Sequence, residues 1–421
     1  LTRQPTIEKK LAARHLDENS LVLYDLSSSY FEGTKCPLAK LGYNRDGTGH
    51  KLQVNYGLLT TSRGCPVAVS VYEGNTNDAK TILPHVHKLK DHFGIKNLVI
   101  VGDRGMISQK AIDEINEIDG VDWITALKSG QIRDLLDGEH LQLGLFDERN
   151  LFELSHPDYP GERLVACRNA ELAKLRRHKR ESLLEATKKE LTKVKGMVER
   201  RRLRGAAAIG IRVGKVVNKY KVSKHFALDI TEDRFDFHVI DQEVKAEAAL
   251  DGIYVIRTSL PKKRLSAADT VRSYKLLSNV ERAFRTIKTI DLKVRPIHHR
   301  HEDRVRAHIF LCVLAYYIEW HMREAWRGLL FADEDQAAKA SRDPVATAKR
   351  STAANHKAAT HALEDGSPVH SFRTLMQDLA SIVRNTCRTP GTSDHSPTFT
   401  IVTTANPEQR RALDLLDSIT L

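Results

Sequence analysis

Two short runs of branched aliphatic residues end in an acid, and they limit the possible folds more than any other feature of the chain. Residues 21–26 read Leu-Val-Leu-Tyr-Asp-Leu, and residues 98–103 read Leu-Val-Ile-Val-Gly-Asp. Apolar runs of this length, rich in Val and Ile and bounded by polar or Gly-containing turns, form buried strands. Each strand therefore delivers a carboxylate, Asp25 or Asp103, to the end of a sheet. A rigid strand holds the oxygens of so short a side chain well. Taken singly, each acid could be a strand-end turn residue, a common place for Asp.

The surrounding sequence supplies a mixed sheet with helices packed on it. Residues 6–15 look like the end of a helix, and a polar turn at 17–20 leads into the first strand. Strand-like runs at 51–61 and 66–72 flank Ser62, Arg63 and Gly64, a hairpin signal. Asp78 is expected to cap a helix over 79–92, with Ile82, Val86 and Leu89 on one face. After the strand at 98–101, Ser108 is expected to cap a helix running to about residue 117, and a strand follows at 123–127. Residues 151–167 read as two short strands around a turn at 157–161.

Residues 171–204 form a charged helical segment with 13 Lys or Arg against 5 Glu. This is either a solvated helix laced with i,i+4 pairs or a phosphate-contacting surface. Residues 207–217, 220–230, 234–240 and 252–258 are strand-like, which makes the block a strand-rich insertion. Helical character returns after Pro261, with Ser266 or Asp269 as caps, and a second helix is expected over 303–330. Residues 331–367 read as a partly helical or mobile connector, 371–384 as an amphipathic helix, 386–396 as turn-rich and 407–418 as a short helix. There are no internal repeats. The expected division is 1–19 as the remnant of an N-terminal region, 20–128 and 261–330 as two parts of one α/β domain, 129–260 as the insertion, and 331–421 as a helical C-terminal part.

Length and charge narrow the partners. A chain of 421 residues affords two or three structural units. The formal charge of +12 and pI near 9.3 favour a polyanionic partner. Five cysteines, none in a Cys-x-x-Cys pair, argue against a disulfide framework or a structural zinc site and fit a reducing cytosol. No apolar run is long enough to span a bilayer, and residues 309–320 read as a buried helix. No secretory signal is evident.

A third acid completes the pattern. Tyr274, Glu281 and Lys288 recur every seven residues, which puts them on one face of a helix. Arg282, Arg285 and Arg295 make the surround basic; the alternative is a surface helix with salt-bridged charges. Three acids remote in sequence but close in space could hold a pair of hard divalent cations, which clamp the attacking and leaving oxygens of a phosphate ester. Other clusters carry less. His298, His299, His301 and Glu302 read as a surface or phosphate-facing segment. The loop with Gly42, Asn44, Arg45, Asp46, Gly47, Gly49 and His50 lacks phosphate-loop spacing. Ser27–Ser29 lack the Gly-x-Ser-x-Gly elbow of a nucleophile.

These residues resemble a family. Asp25 in a Tyr-Asp-x-Ser setting, Asp103 in Gly-Asp-Arg-Gly, and Tyr274, Glu281 and Lys288 on one helix look like the DDE transposases of bacterial insertion sequences, nearest the IS-four-like group. That group's helix signature spaces Tyr, Arg, Glu and Lys; here Leu277 stands at the Arg position, and Arg282 or Arg285 is expected to replace its phosphate contact. The resemblance covers residues 20–330 and implies an α/β, RNase H-like fold. Asp25, Asp103 and Glu281 would be catalytic ligands of two Mg²⁺ or Mn²⁺ ions, with Arg104, Tyr274, Arg282, Arg285 and Lys288 on DNA. It also implies transposon-end and target DNA as partners, a homodimer on DNA, and a bacterial cytoplasmic, nucleoid-associated location. The family's N-terminal DNA-binding region is expected to be truncated or absent. Two other readings remain: a DNA-binding protein that has kept the fold without catalysis, and an RNase H-like nuclease that cuts without joining.

Overall fold

The computed structural model describes residues 1–43, 45, 47, 49–138, 140–142, 144, 146, 149–333, 335, 341–388 and 397–419. It divides into two compact units. The first holds residues 1–124, 272–342 and 348–421, and the second holds 125–271 and 343–347. Asn44 and Asp46 of the Gly-rich loop, and most of the turn expected over 386–396, lie outside the described residues.

The first unit begins with helix α1 (Gln4–His15) and the long strand β1 (Ser20–Tyr30), followed by the hairpin β2 (Gln53–Thr61) and β3 (Pro66–Glu73). A chain of short helical turns includes α2 (Ile82–His87). Then come β4 (Leu98–Val101), α3 (Gln109–Asn116) and β5 (Val121–Ala126). Strand order is β3-β2-β1-β4-β5, with β1–β3 antiparallel and β4 and β5 parallel to β1. This is the RNase H-like arrangement. Alternation along β1 sends Val22, Tyr24 and Leu26 into the main core, where they meet Ile82, Val86, Ile100 and Ile112. Gly57 is required beside Tyr24, because a Cβ there would fall 2.2 Å from the Tyr24 hydroxyl.

One local expectation is corrected here. Asn77, not Asp78, accepts the capping bond from the Ala79 N–H, at 3.0 Å. Asp78 is engaged instead by Arg45 through two bonds of 2.5 and 2.6 Å. The first helix is also docked: Glu8 is buried, takes a bond from the Val69 N–H at 3.0 Å, and pairs with Lys88 at 2.9 Å.

The second unit carries α4 (Ser129–Asp137), β6 (Leu151–Leu154), β7 (Arg163–Arg168) and the 30-residue helix α5 (Ala170–Glu199). After these come α6 (Ala206–Tyr220), the hairpin β8 (Phe226–Ile230) and β9 (Phe235–Val239), α7 (Asp241–Ala249) and β10 (Ile253–Thr258). Residues 207–217, expected as a strand, are helical. Their β-branched content misleads; the spacing decides. Ile209, Val213 and Val217 recur every four residues and pack against Leu184, Leu191, Val194 and Val198 of α5. β7 pairs antiparallel with both β6 and β10.

The chain re-enters the first unit within α8 (Ala267–Lys275), whose start is capped by Ser266 through the Asp269 N–H at 3.1 Å. Helix α9 (Leu277–Arg285) follows, and a widened helical turn (Thr286–Ile290) carries Lys288. Helix α10 (Glu302–Ala325) contains residues 309–320. Ile309, Phe310, Val313 and Tyr316 are buried, but Leu311 and Ile318 are more than 60% exposed, so the helix is amphipathic rather than wholly buried. After α11 (Thr352–Thr360), whose Lys357 Nζ donates to the Gly328 carbonyl at 3.1 Å, the helices α12 (Phe372–Leu379) and α13 (Pro407–Asp417) gather around Trp326, whose indole N–H donates to the Ala412 carbonyl at 2.8 Å. None of the described helices is long and apolar enough to cross a membrane.

Arg180 of α5 and Asp251 are buried together in a fork of 2.8 and 2.6 Å. Truncating one partner leaves the other charge dehydrated and alone, at a cost of about 3 kcal/mol. Asp251→Ala should therefore lower the thermal midpoint of the second unit. The paired change Arg180→Met with Asp251→Leu should recover most of the loss, as read by circular dichroism melts.

Candidate active site

Strand pairing brings the first two acids side by side. In the parallel register of β1 and β4, Val22 lies opposite Ile100 and Leu23 opposite Val101. Asp25 and Asp103 are each two residues further on, so they leave neighbouring strands at one level and on one face. That face is opposite the main core. Ser27 shares it and pairs across the sheet with Tyr56, whose ring meets Phe284 of α9 at 5.6 Å. Helix α9 therefore covers the side of the sheet that bears the acids.

The helix segments reach both the middle of β1 and the residues just after β4. The Tyr274 hydroxyl donates to Asp103 Oδ1 at 3.2 Å, and Lys288 Nζ donates to Ser27 Oγ at 3.1 Å. Glu281, seven residues from each, is exposed and lies between those two anchors along the chain. Its neighbours Leu277, Val280, Ala283 and Phe284 are buried, so the helix turns an apolar stripe to the sheet and Glu281 to the edge of that stripe. Leu277 at the position of the signature Arg is one of the buried residues; Arg282, Arg285 and Arg104 are exposed.

The electrostatics tie the three acids together. Burial pushes the Asp25 carboxyl up to about 7. Its bond from the Leu26 N–H (2.8 Å) and the charge of Arg45 oppose the rise, while the charges of Glu281 and Asp103 add to it. Burial raises the Tyr274 hydroxyl well above its ordinary range, with contributions from Asp103 and, more weakly, Glu281. A dehydrated carboxyl that feels the charges of two others, with oxygen donors only, is a poor place for a lone proton-free acid and a better one for a hard divalent cation. The donor set fits such an ion. Two contributors were given no site role from sequence. Ser27 was noted only within the Tyr-Asp-x-Ser setting and set aside as a nucleophile, although its even spacing from Asp25 puts it on the same strand face; Arg45 gave no signal, being in a loop without a motif.

Asp25 lies midway along β1, not at its end as expected, because β1 runs on to Tyr30 beside β2 after β4 has stopped at Val101. An RNase H-like sheet with one acid on its central strand, one just past the end of β4 and a third on a covering helix defines a class of nucleic-acid-processing fold. Sequence comparison makes it specific: the chain belongs to the DDE transposase family, matching the transposase DDE domain over residues 20–318. That family generally uses divalent metal ions. No curated protein matches the chain. Solved structures with some likeness include a piggyBac transposase synaptic complex with hairpin DNA, at 9% identity over 86% of this chain and 52% of that one (TM-score 0.38). Another is a Mos1 transposase paired-end complex with the left transposon end, at 12% identity over 35% of this chain and 48% of that one (TM-score 0.19). The chain thus spans about half the length of each.

The raised Asp25 carboxyl has a consequence for stability. An acid whose folded value lies above its unfolded value of 3.8 binds its proton more tightly when folded, so its destabilisation is absent below about 4 and complete above about 7. In metal-free protein, Asp25→Asn should melt a few degrees higher than the parent at pH 8. The difference should vanish as pH falls towards 4.

Proposed function

We propose that the protein is a DNA transposase that cleaves transposon ends by metal-dependent hydrolysis and joins the freed 3′-hydroxyl to target DNA. The observation that supports this reading is the parallel register of β1 with β4, which pairs Leu23 with Val101 two residues before Asp25 and Asp103, with Tyr274 bonded to Asp103 and Lys288 to Ser27 from the segments that flank the Glu281 helix. Asp25, Asp103 and Glu281 would hold two divalent cations, Mg²⁺ or Mn²⁺ given an all-oxygen donor set. When bound, such a pair supplies Lewis-acid stabilisation of the attacking and leaving oxygens of a phosphodiester.

The chain's own residues set the geometry. Tyr274 orients the Asp103 carboxylate by donating to one of its oxygens, leaving the other for a ligand. Lys288, held by Ser27, places a positive charge two residues along the strand from Asp25, where a phosphate would approach. Arg104, Arg282 and Arg285 are exposed around the acids and would contact the DNA backbone. In the first step water adds to the phosphorus and the 3′-oxygen leaves with a proton. In the second, that 3′-hydroxyl attacks a target phosphodiester, one P–O bond forming as another breaks. No covalent intermediate with the protein is needed. Transposon-end and target DNA are the partners, and a homodimer on DNA would pair the two ends.

Incubating the purified chain with candidate terminal repeats and Mg²⁺ tests this directly. Strand-specific nicks and joined products are expected. Asp103→Ala should reduce both by roughly a thousandfold or more while leaving DNA affinity nearly unchanged. Retained nicking by Asp103→Ala overturns the assignment. Nicks without joined products would leave a nuclease instead. Tyr274→Phe, which keeps the ring and removes the donor, should cost roughly tenfold in rate.

Binding should be dominated by phosphate contacts and so be steeply salt-dependent, weakening about a hundredfold or more between roughly 50 and 200 mM salt. Arg282→Ala and Arg285→Ala should each lower the slope of log affinity against log salt by about one, across all sequences alike. A salt-insensitive affinity in a filter-binding or anisotropy titration counts against this surface.

A further inference from the structure

A second cluster of ligating side chains lies apart from the acids. His15 at the end of α1, Cys65 at the start of the β3 hairpin arm and His321 on α10 bring one ligand atom each to within 4.8 Å of one another. They come from three elements of the first unit that are distant in sequence. We propose that this His₂Cys cluster is a binding site for a borderline-soft divalent transition metal of the Zn²⁺ type, separate from the oxygen-ligated site.

Three observations carry the proposal. First, the donors are of the right kind: two imidazoles and a thiol select zinc-like ions over Mg²⁺, whereas Asp25, Asp103 and Glu281 do the reverse. Second, His321 Nε2 is buried with no hydrogen-bond partner, a cost that a metal bond would remove. Third, the surroundings hold the ligands in place. The rings of Tyr317 and Trp320 pack on His321 at 4.5 and 5.0 Å. The Tyr316 hydroxyl donates to the Gly64 carbonyl at 3.3 Å, and the Trp320 indole to the Arg63 carbonyl at 3.4 Å, which pins the turn that presents Cys65.

On binding, the thiol gives its proton to solvent as the S–metal bond forms; no electron is transferred. Metal–nitrogen bonds of about 2.0 Å and a metal–sulfur bond of about 2.3 Å imply ligand separations near 3.5 Å, so the cluster closes by about 1 Å of side-chain rotation. The Tyr317 hydroxyl, 2.9 Å from His15 Nε2, adds an oxygen beside the cluster.

The site would staple α1 and α10 to the β2–β3 turn. That turn also accepts a bond at its Ser62 carbonyl from Asn279 Nδ2 at 2.8 Å, two residues before Glu281. The metal would therefore be structural and act on the Glu281 helix only through this turn.

The full-length, untagged chain, purified without chelator, should carry about one zinc. After metal removal, titration with Co²⁺ should produce tetrahedral d–d bands and a near-ultraviolet thiolate-to-cobalt band. Cys65→Ser should abolish the thiolate band, and His15→Gln should weaken Co²⁺ binding roughly tenfold or more. Asp103→Ala should leave the spectrum unchanged, which separates this site from the oxygen-ligated one. Absence of both zinc and the cobalt bands in the parent protein overturns the proposal even if a variant fails to fold. So does persistence of the thiolate band in folded Cys65→Ser.

Discussion

The parallel pairing of β1 with β4 in one register is the constraint on which the site rests. Side chains alternate along a strand, so a slip of one residue would turn Asp25 into the core and Tyr24 out of it. The register is set from the other face of the sheet. Val22 and Ile100 meet in the core, and Tyr24 fills a space that exists only because residue 57 is glycine. A Cβ at Gly57 would collide with the Tyr24 hydroxyl. Apolar packing on one face thus determines where acids lie on the other, and the carboxylates need no direct interaction to be brought together.

What they lose by being together is visible in Asp25. Burial and the charges of Glu281 and Asp103 raise its carboxyl to about 7, against the help of the Leu26 N–H and Arg45. Such a cluster destabilises the metal-free fold and is retained where function uses the charge. Lys288 bonds a serine hydroxyl, Tyr274 offers a neutral donor, and Arg45 pairs with Asp78. Lys288 and Arg45 place positive charge near the acids, where a phosphate would be attracted.

The two acid-bearing strands were legible in the sequence as apolar β-branched runs, but the end of β1 was not: Ser27–Tyr30 read as polar, yet they stay paired with β2 and leave Asp25 mid-strand. The Glu281 helix was legible from its seven-residue spacing, although Tyr274 and Lys288 lie on flanking segments rather than on one regular helix. Residues 207–217 were misread because Val and Ile content outweighed a four-residue period. The cap at Asn77 was misplaced because Asp78 is an equally good capping residue, and only the Arg45 fork shows that its carboxylate is occupied. The His15, Cys65 and His321 cluster had no signal at all. Metal motifs are read from ligands close in sequence, and here each ligand comes from a different element, so only the fold assembles them.

Charge in a sequence is likewise not the same as charge offered to a partner. Of the basic residues in and after α5, Arg180 is buried against Asp251, Arg176 also reaches the Leu250 carbonyl at 3.3 Å, and Lys195 pairs with Asp236 at 2.9 Å. The apolar face of α5 packs on α6, while Arg177, Lys179, Lys188, Lys189 and the cluster Arg200–Arg202 are exposed. The two readings of this segment therefore apply to different residues of the same helix. Counterion release depends on how many cations meet phosphates, not on base identity, so the exposed set can attract DNA without reading it. Sequence discrimination would have to come from groups held as rigidly as Tyr274 and Lys288 are, because only a fixed donor distinguishes one geometry from another.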